Sequence, residues 1–238
     1  MQETFISHLT ELRKSLIRAF SIVLILFFSL VYWASDVYSI FVQPLKKLLP
    51  ATSQIVFNDV TGAFLVPLKI TFLLALLIAL PWVLYQIWSF IAPGLYKHER
   101  QLVIPLVLSS YILFWIGLLF VYYLVLPMIF KFLVGYSNAT HTAMFTSASE
   151  YVDFVLQMFI SFGMIFEIPV AIFILVKVKV ISIVNLYKIR PYMIVGAFII
   201  AAIFTPPDPF SQIMMAIPIC LLYELGIIVA KKWAVNDK

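Results

Sequence analysis

The chain has 238 residues, of which 64% are hydrophobic, 16% aromatic and only 11% charged. Water-facing surface needs about a quarter charged residues, so this composition excludes an ordinary soluble fold and makes lipid the main solvent. The formal net charge of +5 comes from Lys and Arg lying between apolar runs rather than on one stripe, which argues against a nucleic-acid partner.

In chain order, the first residues lack the short apolar core and small-residue cleavage site of a removable signal peptide, so the first long apolar run is expected to remain. Phe5, Leu9, Leu12 and Leu16 recur at helical spacing. They predict an amphipathic helix over 4–15 lying on the inner leaflet, with Glu11 beside the headgroups. A span needs about 20 apolar residues to cross ~30 Å of hydrocarbon. Runs 16–35, 66–91 and 102–126 meet this, and a fourth, 151–176, does so despite a carboxylate at Glu167. The last two runs, 192–204 and 210–230, are separated by Thr205-Pro206-Pro207-Asp208-Pro209, whose prolines forbid a continuous helix. The fifth run is about 13 residues, ~20 Å at helical rise, which predicts a tight hairpin and local bilayer thinning. Between the first two spans, the mixed segment 37–65 is expected to be partly helical and to cap the outer face. Segment 135–150, rich in Ser, Thr and Ala, reads as an exposed loop.

Lys and Arg concentrate on one side of these spans, from Arg13, Lys14 and Arg18 through Lys97, Arg100, Lys177, Lys179, Lys188 and Arg190 to Lys231, Lys232 and Lys238. Cytoplasmic loops retain such an excess, so both termini are expected in the cytoplasm. The predicted fold is all-α: one polytopic transmembrane domain over 1–238, with six helices in a kinked, cupped bundle. Pro81, Pro169 and Pro218 supply the kinks. Cys220, alone of its type, leaves no intramolecular disulfide or cysteine-rich metal site.

The inventory of reactive side chains points away from catalysis. His8, His98 and His141 all fall outside the spans, so no Ser/His pair forms at membrane depth, and neither HExxH nor a GxxxxGK[ST] loop occurs. No catalytic residue, metal or cofactor is expected. Glu167 stands out because a carboxylate near midplane costs ~3 kcal/mol even on a lenient insertion scale. It must face a polar cavity or a partner, or be protonated. Glu11, in SHLTELRKSL, and Glu99, in LYKHERQL, are acids against a basic background. Each has a plain explanation too, as a local pair of Glu11 with Lys14, or of Glu99 with Arg100 or Lys97.

These same segments carry a family likeness. HLTELRKSL, FNDVTGAF, LPWVLYQIWSFIAPGLYKHER, FGMIFEIPVAI, RPYMIVGAF, TPPDPFSQ and AIPICLLYELG together resemble the TatC family, the receptor subunits of twin-arginine protein translocases. The resemblance implies a receptor of the bacterial inner membrane for twin-arginine signal peptides, working in a multimeric complex with the single-span subunits TatA and TatB. It implies proton-gradient-driven export of folded proteins. It assigns signal recognition to Glu99, Phe90 and Glu11, partner docking to Glu167, and further functional positions to Arg13, Pro44, Asp208 and Gln212. Ser15 departs from the family pattern, which commonly has a basic residue there. The competing reading of the residues is a proton-coupled small-molecule transporter, for which six spans and one midplane acid would suffice; the two halves show no convincing internal repeat.

Overall fold

The computed structural model describes residues 2–48, 55–57, 61–91, 103–139, 146–204 and 209–236. Among them six helices are long and apolar enough to cross a membrane: Thr10–Gln43, Gly62–Phe90, Ile104–Phe132, Ala148–Lys177, Ile183–Phe204 and Gln212–Trp233. The protein is a multi-pass membrane protein, nearly all helical. Its chain divides into two compact units, 1–111 with 130–156, and 112–129 with 157–238.

In the first unit, α1 (Gln2–Leu30) passes through a single 3-10 turn (Val31–Trp33) into α2 (Ala34–Leu48). The expected separate helix over 4–15 is therefore the first part of α1. The reason is local: no Gly or Pro lies between residues 2 and 35, and ending one helix only to nucleate another costs more than continuing. α2 confirms a partly helical segment after the first span, and its Val42 is buried. α1 packs on α3 (Gly62–Ile91), where the Phe27 and Phe72 rings meet edge-on at 5.7 Å. Helix α3 carries Pro67 and Pro81 in its interior. Proline has no N–H to give back to the preceding turn; one turn after the first of these, the Thr71 hydroxyl donates to the Pro67 carbonyl at 2.8 Å, a bond that does not replace the missing one.

Helix α4 (Val103–Phe120) continues through one π turn (Val121–Val125) into α5 (Leu126–Ala139). This helix runs well past the expected end at residue 126, because its sequence remains apolar and Gly135 costs a helix only about 1 kcal/mol. Segment 135–150 is likewise not an exposed loop throughout. α5 reaches Ala139, Thr146–Ser147 (β2) pairs in parallel with Ile55–Val56 (β1), and α6 starts at Ala148. Ser147 and Ala148 are buried. Within the first unit Lys69 on α3 and Asp153 on α6 form an ion pair, Nζ to the two carboxylate oxygens at 2.6 and 2.9 Å.

In the second unit, which takes up α6 (Ala148–Ile165) from residue 157, that helix stops and α7 (Ile168–Lys177) begins across Phe166 and Glu167. Pro169 explains the stop: an intact helix would have its N–H on the carbonyl of Ile165, the last residue of α6. Close approach is built in nearby. A Cβ on Gly117 would touch the Phe162 carbonyl and the Phe166 ring, and one on Gly163 would enter the Phe114 ring. Phe120 stacks obliquely on both Phe162 and Phe166. α8 (Ile183–Phe204) and α9 (Pro209–Asn236) complete the unit, with Tyr223, Ile227 and Ala230 of α9 packed against Ile172 and Leu186.

α8 corrects the expected fifth span. It has 22 residues, ~33 Å at helical rise, rather than the 13 of run 192–204, so helix length gives no ground for thinning. Arg190 and Pro191 resemble an interfacial start in the sequence. In the structure Pro191 lies inside the helix and Arg190 is held by Glu224 of α9.

Candidate functional site

The antiparallel packing of α1 on α3 sets which residues stand level with one another. From the Phe27–Phe72 contact, sixteen residues back along α1 reach Glu11, and sixteen on along α3 reach Trp88, two before Phe90. At equal rise per residue these side chains occupy one end of the helix pair. Glu11 and Arg13 are exposed on α1, and Phe90 is half-buried in the last turn of α3. That end is anchored rather than frayed: Trp88 is buried, and its indole Nε1 donates to the buried hydroxyl of Ser110 on α4 at 3.1 Å. Glu99 lies outside the described residues, in the connection that joins α3 to α4. Below this end, α1 and α3 leave a groove of about 470 Å³ lined by apolar side chains, among them Leu16, Ile17 and Phe20 of α1 and Phe72, Leu76 and Val83 of α3.

Glu167 belongs to the second unit and sits in the break between α6 and α7, with both carboxylate oxygens withdrawn from the surface. The backbone there is fully used: Glu167 N donates to Met164 O at 3.1 Å, and Glu167 O accepts from Ala171 N at 2.9 Å. Its side chain does not cap α7. The site thus combines a carboxylate with a helix discontinuity, where backbone can deform at least cost. Gln212, at the start of α9, donates from Nε2 to the Phe198 carbonyl of α8 at 3.1 Å. Pro44 lies in α2, and Asp208 lies outside the described residues.

One acid was missed by inspection of the sequence. Glu224 interrupts the last apolar run much as Glu167 interrupts the fourth, and it accepts from Arg190 Nη2 at 2.5 Å. The Arg190 guanidinium also lies over the Tyr187 ring, 4.4 Å from its centroid. The signal was present as YELG in an otherwise apolar segment, and a carboxylate so placed calls for a partner. The Lys69–Asp153 pair was equally hidden, since its members are 84 residues apart.

Comparison with known proteins accounts for nearly the whole chain. The family described as Sec-independent protein translocase protein (TatC) matches over residues 7–218. The Escherichia coli K12 protein named Sec-independent protein translocase protein TatC is 44% identical over 225 residues, covering 94% of this chain and 87% of that one. The protein of the same name from Halothiobacillus neapolitanus is 47% identical over 229 residues, covering 95% of this chain and 62% of that one. A crystal structure of a twin-arginine translocase receptor, TatC, superposes with a TM-score of 0.83 at 39% identity, covering 94% of this chain and 98% of that one. With sequence and fold agreeing over more than nine-tenths of its length, the chain belongs to the TatC family of Sec-independent protein translocase proteins.

Proposed function

We propose that this chain is the signal-peptide receptor subunit of a twin-arginine translocase, in a bacterial inner membrane with both termini cytoplasmic. It binds peptides carrying two consecutive arginines and organises export of folded proteins driven by the proton gradient. Its partners are the single-span subunits TatA and TatB, and its role is binding rather than catalysis. Family membership sets aside the small-molecule transporter.

The observation that carries this reading is the register of α1 on α3, which brings Glu11 level with Trp88 and Phe90 at the end where the connection bearing Glu99 begins. A guanidinium offers a planar fork of donors that a carboxylate accepts bidentately, whereas a lysine ammonium offers a point charge. Two carboxylates, Glu11 and Glu99, suit two arginines, with Phe90 as an aromatic face beside them. Each charge-assisted hydrogen bond contributes about 1.5–3 kcal/mol, enough to separate an Arg-Arg peptide from a Lys-Lys peptide. Arg13, Pro44, Asp208 and Gln212 are assigned supporting roles, and Glu167 receives a polar group of a partner helix.

The test is photocrosslinking from position 99 in native membranes to an Arg-Arg peptide and to its Lys-Lys counterpart. An adduct that depends on arginine supports the receptor reading. Equal adducts from both peptides, or none, would refute the pairing of carboxylate with arginine.

A further inference from the structure

Helices α7, α8 and α9 present one strongly basic rim. Two hydrogen bonds fix α8 against α9 as an antiparallel pair: Tyr223 Oη donates to Leu186 O at 2.8 Å, and Gln212 Nε2 donates to Phe198 O at 3.1 Å. Gly226 of α9 lies against Pro169 and Ile172 of α7, so the turn after α7 that holds Lys179 falls toward the end of α9 that bears Lys231 and Lys232. Trp233 meets Phe173 edge-on at 5.9 Å, which brings this end of α9 to α7. The spans themselves end here, at Lys177 and Trp233, and α8 begins here at Ile183. Lys179, Lys231 and Lys232 are exposed, and so is Trp233. Among the described residues of these three helices the one acid is Glu224, and Arg190 holds it.

The turn after α7 adds an independent observation. Val180 N donates to Leu175 O at 3.0 Å and Lys179 N to Val176 O at 3.0 Å, the paired bonds of a Schellman motif whose left-handed residue is usually glycine. Here it is Lys179, with φ 60°, and among the described residues it is the one non-glycine at positive φ. Glycine would hold this turn without steric cost. The chain instead accepts a strained backbone at the position that adds a third cation to Lys231 and Lys232.

Inside-facing positive charge orients a membrane protein wherever it falls in the flanking loops; it does not require three lysines toward one end of a helix group beside an interfacial tryptophan. Basic clefts between span ends are suited to phosphate-bearing headgroups, and a tryptophan ring is suited to the same depth. We propose that this rim is a docking site for an anionic phospholipid, its headgroup phosphate held by Lys179, Lys231 and Lys232 beside Trp233. The proposal does not rest on the signal-peptide reading.

The test uses the purified full-length chain and fluorescent phosphatidylglycerol, with phosphatidylcholine as the neutral probe. Each lysine near the surface is expected to change affinity by about fivefold, so K179G/K231Q/K232Q loses about a hundredfold for phosphatidylglycerol and nothing for phosphatidylcholine. Lys179→Gly alone loses about fivefold yet melts no lower than wild type, because glycine relieves the turn. Lys131→Gln, a cation of α5 remote in sequence, keeps wild-type affinity. Unchanged phosphatidylglycerol affinity in the triple variant, or no preference of the wild type over phosphatidylcholine, overturns the proposal. Displacement by inorganic phosphate as readily as by lipid overturns the lipid assignment.

Discussion

Gly163 sits one helical turn before Glu167, and replacing it with alanine tests whether close packing fixes the helix break. A Cβ there would overlap Cε2 and Cζ of Phe114, with Cδ2 at 3.0 Å. Phe114 is buried, so its ring must be driven into its own neighbours. Overpacking of this kind costs about 1–3 kcal/mol, and the ring-face overlap puts Gly163→Ala in the upper half of that range. Phe114→Ala alone leaves a cavity and costs about 3–5 kcal/mol. In the double variant the new methyl enters the space the ring vacated, so the combined cost falls short of the sum by about 1–2 kcal/mol. Thermal unfolding in detergent, followed by tryptophan fluorescence and by loss of the monodisperse peak, measures all four corners of the cycle. Wild-type stability in Gly163→Ala, or strictly additive losses in the double variant, would refute the claim that Gly163 and Phe114 share one space.

Trp88→Phe keeps an aromatic ring but removes the indole N–H and strands the buried Ser110 hydroxyl; a loss of about 1–3 kcal/mol is expected from the hydrogen bond, and Trp88→Phe with Ser110→Ala should recover part of it in the same melting assay. Lys69 and Asp153 are each about half exposed at the side chain, so if water reaches them Lys69→Met lowers stability by less than about 1 kcal/mol; a larger loss would mean that the pair is desolvated. For Arg190 and Glu224, either single neutralisation should lower the melting temperature, and the swapped pair Arg190→Glu with Glu224→Arg should restore part of it; a swap no better than the worse single variant would mean that the pairing is incidental.

The six spans were legible because lipid solvation is read along the chain: twenty apolar residues in a row report their own environment without knowledge of any other segment. Glu167 was legible for the same reason, and the break beside it follows from the backbone chemistry of Pro169 two residues on. Helix ends were less legible. A basic residue followed by proline, as at Arg190-Pro191, looks like the edge of a span, yet α8 starts at Ile183 and Arg190 pairs with Glu224 from within it. Likewise the amphipathic stretch before residue 16 resembles a surface helix, while the absence of a breaker makes it the first turns of α1. Within the candidate site, Glu11 and Phe90 could be named from their motifs, but that they stand level could not. Two further candidates, Glu99 and Asp208, lie outside the described residues, and the roles of all these residues are proposals.

The sequence by itself determined that the chain is a membrane protein, how many helices are fit to cross, and which acids stand against an apolar or basic background. All of these depend on a residue's type and its near neighbours, which a linear text contains. Only the tertiary structure decided that Lys69 answers Asp153, that Arg190 answers Glu224, that the turn bearing Lys179 falls toward the end of α9 bearing Lys231, and that Gly163 must lack a side chain beside Phe114. Those depend on which helix faces meet and in what register, and helices that are apolar on every side encode neither in their local pattern.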